Sequence, residues 1–179
     1  AHAFARLGSK VIQVERDDRL LAKEDEDVAA LILEQFKADG IDVRLRHSAA
    51  EFCIEDGEKV AYCDHGGERV RIPFDQVLVA VGRAANTTGL NLERIGVDTQ
   101  PNGTIPVEDD MSVRYPNVFA CGDVAGPYQF THAAAHQAWY AAVNGLFGQF
   151  KRFRVDYRVM PWVTFTSPEV ARVGLSEAE

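Results

Sequence analysis

Cysteine is scarce in this chain of 179 residues. Cys53, Cys63 and Cys121 make an odd three, with no CxxC or CxxxxC spacing and no His-rich cluster beside them. The pattern reads as reduced thiols packed like small hydrophobes in a cytoplasmic protein. The alternative, a redox pair of Cys53 with Cys63, has no motif spacing behind it. Positive charge is short as well: 19 Lys and Arg stand against 27 Asp and Glu, a net charge of −8. That balance argues against nucleic acid or an anionic membrane surface as the main partner. No apolar run approaches the roughly 20 residues that span a bilayer, and no signal peptide is visible. What remains, 46% hydrophobic and 26% charged residues, is ordinary for a globular protein with one large domain or two small ones.

The chain opens on "AHAFARLG", which fits the last turns of a helix ended by Gly8. "KVIQVE" (10–15) follows as a strand suited to burial on both faces. "EDEDVAALILEQFKADG" predicts a second helix, with the acids Glu24 to Asp27 in its first turn and Val28, Leu31, Ile32, Gln35 and Phe36 on one face. "IDVRLR" (41–46) is another strand, and this helix–strand–helix–strand rhythm is that of a parallel sheet. A β-meander comes next, three short strands joined by Asp56-Gly57 and Gly66-Gly67. "FDQVLVAVG" (74–82) and "NVFACGD" (117–123) read as strands, 131–148 as an Ala-rich helix, and "VMPWVTFT" as a final strand. The chain closes on "SEAE" (176–179), an S-x-x-E capping box at the start of a helix. Both termini therefore fall where a helix should continue, and the chain reads as truncated on each side.

Three constellations carry chemistry. Glu15 ends the first strand, where a carboxylate can accept hydrogen bonds from the ribose hydroxyls of a dinucleotide; the glycine turn of such a unit would fall just before residue 1. The plain alternative is a solvated acid at a strand end. The passage "VLVAVGRAANTTGLNLERIGV" (77–97) turns sharply at Gly82, where the missing Cβ lets a cofactor lie close; an ordinary loop is the alternative. In "NVFACGDVAG", Gly122-Asp123 puts a carboxylate at the carboxyl edge of a sheet, and the helix from Thr131 aims its positive end into the same crevice. One acceptor for a sugar hydroxyl and one dipole for an electron-rich ring suit a flavin. Otherwise Asp123 only caps a turn, and His132 and His136 are neighbours on a helix face that lack a third metal ligand.

On these motifs the whole length resembles the class I pyridine nucleotide-disulfide oxidoreductases, the group of dihydrolipoamide dehydrogenase, glutathione reductase and mercuric reductase, with the first and last nearest in look. "VLVAVGRAANTTGLNLERIGV" is similar to the family's return from its NAD domain to its FAD domain, "NVFACGDVAG" to its second flavin motif, and "MPWVTFTSPEVARVGLSEAE" to the opening of its interface domain. The resemblance implies an α/β fold: part of a flavoprotein with two Rossmann-like dinucleotide-binding domains, a β-meander, and the start of an α+β interface domain. It implies an NAD(P)-binding domain over 1–84 without its glycine turn, the end of an FAD-binding domain over 85–155, and a truncated dimerisation domain over 156–179. It assigns Glu15 to the NAD ribose, favouring NADH over NADPH, although Arg16 follows at once. Ala49 and Gly82 match backbone positions that line the nicotinamide nucleotide. Gly122 lies in the flavin motif, Asp123 matches the carboxylate on the FAD ribitol, and Thr131 the backbone N–H near the flavin pyrimidine. Ala85 stands where many relatives have Pro.

The resemblance also implies absences. The FAD half with its glycine turn and CxxxxC, and the late His-Glu pair, are not in this chain, so no catalytic residue is assigned and the chain alone is expected to be inactive. The intact parent would be a homodimer of redox homeostasis, passing electrons from NAD(P)H through FAD to a disulfide or a metal ion. A flavin NADH oxidase or reductase without the disulfide is the rival enzyme, and a non-catalytic nucleotide-binding module the rival from another class.

Overall fold

The computed structural model describes residues 1–176; the capping box at Ser176–Glu179 thus lies largely outside the described residues. The chain divides into two compact units, one of residues 1–79 with the chain from 161 onward, the other of residues 80–160.

In the first unit, helix α1 (His2–Arg6) and helix α2 (Glu26–Ala38) end alike. In α1, Ser9 N–H donates to the Phe4 carbonyl and Gly8 N–H to that of Ala5; in α2, Ile41 and Gly40 do the same to Phe36 and Lys37. This paired closure needs a left-handed residue after the cap, and Gly8 (φ +95°) and Gly40 (φ +77°) supply it. Strands β1 (Ile12–Val14) and β2 (Asp42–Arg44) pair in parallel, Ile12 opposite Asp42. Ile32, Phe36 and Ile41 form a core with Leu20 and Val170, and Val11 and Val43 pack onto it.

Strands β3 (Ser48–Glu55), β4 (Glu58–His65) and β5 (Glu68–Pro73) make the expected antiparallel meander. Its turns have positive φ at both central residues, Asp56 and Gly57 in one and Gly66 and Gly67 in the other, the twist that suits two-residue hairpins. The meander buries Ala61, Cys63 and Ile72 against Ile12 and Val14, which covers one face of β1, while Gln13 on the other face borders a cleft. Strands β6 (Pro161–Thr164) and β7 (Val170–Val173) form an antiparallel pair in the same unit.

The second unit packs Val97, Ile105, Val113 and Ala120 into its core, with Val118, Val124 and Ala125 around them. A short 3-10 turn (Gly122–Val124) precedes helix α3 (Thr131–Phe147).

Four sequence expectations fail, each for a physical reason. Residues 77–81 form no strand, and Leu78 and Val81 are 71% and 94% exposed. No strand lies beside them among the described residues, and an isolated strand has nothing to bond its backbone. Residues 117–123 are reduced to one bridge, Ser112 with Phe119, because the chain doubles back tightly through Tyr115–Asn117. Leu31 points outward at 55% exposure, since the buried stripe of α2 runs through Ala29, Ile32 and Phe36. Glu24 precedes α2 rather than sitting in its first turn; it is buried and accepts a hydrogen bond from the Trp162 indole at 2.8 Å.

Candidate functional site

Glu15 follows β1, with its N–H bonded to the Arg44 carbonyl at 2.9 Å. The sheet ladder therefore continues one residue past β1 and fixes the carboxylate at the carboxyl end of two parallel strands. Its Oε1 accepts the Asp17 N–H at 3.1 Å, and its carbonyl accepts the His47 N–H at 2.9 Å. Glu15 is half-buried and borders a cleft of about 360 Å³ together with Gln13, His2, Ile32, Phe36 and Thr164. Ala49 lies two residues beyond His47, exposed on β3 opposite Cys63, at a bulge where Ala50 drops out of register. Glu15 and Ala49 are thus brought to one end of the first unit. Nearby positive charge is largely paired within the unit: Arg16 with Asp17 at 3.3 Å, Arg44 with Asp42 at 2.9 Å.

The second set gathers around the start of α3. Gly122 has φ +80° and is buried; a Cβ there would meet that of Ala134 at 3.4 Å, so glycine lets the turn lie flat on the helix. Asp123 next to it is exposed, with no hydrogen-bond partner among the described residues. Thr131 opens α3 behind Phe130, which offers no side-chain cap. Thr131 is exposed and lies at the positive end of the helix dipole. Gly82 (φ +141°) joins this group, because the Arg83 guanidinium beside it donates to the Gln129 carbonyl. Gly82, matched to the nicotinamide nucleotide, therefore shares its unit with Gly122, Asp123 and Thr131 and not with Glu15 and Ala49. A free carboxylate, a close-packed glycine and the positive end of a helix dipole fit a ligand that offers sugar hydroxyls and an electron-rich ring.

Sequence reasoning missed the residue that holds this second set together. Gln137 has no exposed surface. Its Oε1 accepts the Gly122 N–H at 2.6 Å, and its Nε2 donates to the Gly126 carbonyl and the Tyr157 hydroxyl, both at 2.8 Å. One helical heptad later, Asn144 donates to the carbonyls of Asp110 and Phe153 and accepts the Phe153 N–H. Two amides seven residues apart on an Ala-rich helix were the available signal: polar side chains on the stripe that Ala133 begins are buried.

Cys53, Cys63 and Cys121 are free thiols. The register sets Cys63 opposite Ala49 and Cys53 opposite Val60. Burial pushes both the Cys53 and Cys63 thiols above their ordinary range, so they stay protonated. Among the described residues no three His, Cys, Asp or Glu converge on a metal position, and no helix is long and apolar enough to cross a membrane.

Parallel strands, a crossover helix and ligand-type groups at strand ends and a helix N-terminus define an α/β protein of the dinucleotide-binding kind. Residues 1–138 match the family model of the pyridine nucleotide-disulphide oxidoreductases, and the chain belongs to that family. It is 37% identical over 179 residues to a dihydrolipoyl dehydrogenase of Bacillus subtilis, covering all of this chain and 38% of the relative. It is 40% identical over 179 residues to a mercuric reductase of Acidithiobacillus ferrooxidans, covering all of this chain and 31% of that protein. Among solved structures, an HOCl-induced flavoprotein disulfide reductase of Escherichia coli superposes with a TM-score of 0.86 at 28% identity, over 98% of this chain and 39% of the other. The chain thus spans about a third of the length of the curated relatives it matches.

Proposed function

We propose that this chain is part of an FAD- and NAD(P)H-dependent oxidoreductase of the dihydrolipoamide dehydrogenase or mercuric reductase type. In the parent, electrons pass from NADH through flavin to a disulfide or a metal ion, and the 179 residues alone do not turn over. Residues 1–84 serve the pyridine nucleotide, 85–155 the flavin, and the chain from 156 begins a dimerisation domain. The observation that carries the reading is the Gly122-Asp123 turn, held by Gln137 against α3 in a chain 37–40% identical to such enzymes.

Each residue then has a physical task. The Glu15 carboxylate accepts ribose hydroxyls, and its charge repels a 2′-phosphate, which favours NADH; Arg16 is engaged with Asp17. The Ala49 and Gly82 backbones line the nucleotide. Asp123 accepts from the flavin's sugar-alcohol chain, while the first-turn amide of Thr131 offers positive charge to the ring edge. The bound flavin supplies the hydride and electron chemistry; the chain positions it and tunes its surroundings.

The test is a backbone amide spectrum of the labelled chain titrated with NADH and, separately, FAD at millimolar concentration. Shifts at Glu15 and Ala49 with NADH, and at Gly122, Asp123 and Thr131 with FAD, support the reading. Shifts elsewhere, or none, reject it. Gly82 is informative by itself, since the ligand that moves it decides which nucleotide its loop serves.

A further inference from the structure

We propose that His47 and His65 form a binding site for a borderline divalent transition cation, Ni²⁺, Cu²⁺ or Zn²⁺, held by their two Nε2 atoms. The register pairs Ser48 with Asp64 and Ala49 with Cys63, so the next position outward sets His47 across from His65. Their rings stack, with centroids 4.1 Å apart and planes 13° from parallel.

The hydrogen bonds assign the tautomers. His47 Nδ1 lies 2.6 Å from the Leu45 carbonyl, and His65 Nδ1 lies 3.1 Å from the Arg46 carbonyl. A carbonyl only accepts, so each Nδ1 carries a hydrogen, and each neutral ring keeps its lone pair on Nε2. Neither Nε2 has a hydrogen-bond partner among the described residues. A ring fixed through Nδ1–H to a backbone carbonyl, with Nε2 open, is the arrangement of a metal-ligating histidine with its outer partner in place. Two such rings, opposed across a strand pair, share one ion only after their planes turn from 13° apart toward each other, so that the in-plane Nε2 lone pairs converge at about 2.1 Å from it; binding therefore includes loss of the ring stack.

The choice of ion follows from the donors. Neutral imidazole suits Ni²⁺, Cu²⁺ and Zn²⁺ far better than Mg²⁺ or Ca²⁺, which take oxygen. Strand alternation turns Asp64 to the opposite face, and no third protein ligand converges, so water completes the shell and the ion exchanges freely. The net charge of −8 favours a cation, while Arg46, loosely paired with Asp18 at 3.9 Å, opposes it locally. The i, i+4 pair His132 and His136 is the competing candidate, but the rings there are set by aromatic packing, His132 on Phe130 and His136 edge-on to Tyr140.

The His47 N–H is bonded to the Glu15 carbonyl, so an ion on this pair is joined through one backbone hydrogen bond to the residue proposed to bind the ribose. A bound cation then competes with the dinucleotide; this second part rests on the reading of Glu15 and Ala49 given above.

The test is calorimetric titration of the full chain with NiCl₂. One equivalent is expected to bind. Losing merely an outer partner of a ligating histidine costs at least about tenfold in affinity, so His47→Gln and His65→Gln should each weaken binding by about tenfold or more. The double variant His132→Gln/His136→Gln should bind as the parent does, and circular dichroism checks that every variant is folded. No heat from the parent chain, retention of binding in both single variants, or loss in the helix variant overturns the site. NADH is then titrated with and without Ni²⁺: unaltered NADH binding rejects the competition alone, and absence of NADH binding rejects the nucleotide reading while the metal result stands.

Discussion

Gln137 bonds three partners with one side chain and has no contact with solvent, which makes it the residue whose loss the second unit can least absorb. Replacing it with Leu takes this partner from the buried Gly122 N–H, from the Gly126 carbonyl and from the half-buried Tyr157 hydroxyl. At about 1–3 kcal/mol for each unsatisfied group, partly relieved by entering water, the expected destabilisation is about 3 kcal/mol. Urea unfolding of Gln137→Leu measures it; a change under about 1 kcal/mol would mean that the turn finds other partners. Cys63 offers a second residue-scale prediction. Fully buried, with its thiol held protonated, it should resist a thiol reagent in the native chain and react only on unfolding. Mass mapping of the labelled thiols reads this directly. Of these two residues, only the cysteine was legible in advance, because small apolar side chains are buried by default. A buried glutamine is recognisable only once its partners are known, and those come from residues 122, 126 and 157.

At the scale of elements, legibility followed locality. The Asp56-Gly57 and Gly66-Gly67 turns announced the meander, because two adjacent positive φ angles are a local demand that these residues meet cheaply. Both helix ends were legible for the same reason. The side chains of "VLVAV" are those of a strand, yet a strand is a relation between two segments, and residues 77–81 have no such partner among the described residues. Their exposed valines and leucine, unbroken by charge or proline, are the composition that pairs with copies of itself. The run is nearly symmetric about Val79, so antiparallel pairing sets Val77 of one copy against Val81 of the next. The chain should therefore self-associate as its concentration rises, and Val79→Lys should suppress this. Sedimentation velocity over a dilution series decides it: a monomeric parent chain at every concentration refutes the prediction.

The whole molecule divides at 79/80 and 160/161, and each unit carries carboxylates whose folded state favours ionisation. In the first unit, hydrogen bonds from His2 and then Arg6 hold Asp39 below its ordinary value, and those from Tyr62 and Arg71 do the same for Glu55. In the second, the Arg158 guanidinium and backbone hold Asp156 down at about 2. Burial would raise Asp110, but the Ser112 hydroxyl and amide and the Arg152 ion pair outweigh it, and its pKa is lowered. A group with a depressed folded pKa binds its proton less readily folded than unfolded. Its stabilising share is complete above the unfolded value, near 4, and drains away as pH falls through the folded one. Both units should therefore hold a level stability above about pH 5 and lose it together between about pH 4 and 2. The Asp110 carboxylate also ties the Asp110–Ser112 turn to Arg152, while Asn144 grips the same residue through its backbone carbonyl. Asp110→Asn should thus lower stability at neutral pH, leave the Asn144 bond in place, and flatten the acid slope. Urea midpoints of parent and variant at pH 7 and pH 3 distinguish this from a general loss of packing, because packing alone predicts the same difference at both pH values, whereas a lost carboxylate predicts a gap that narrows in acid.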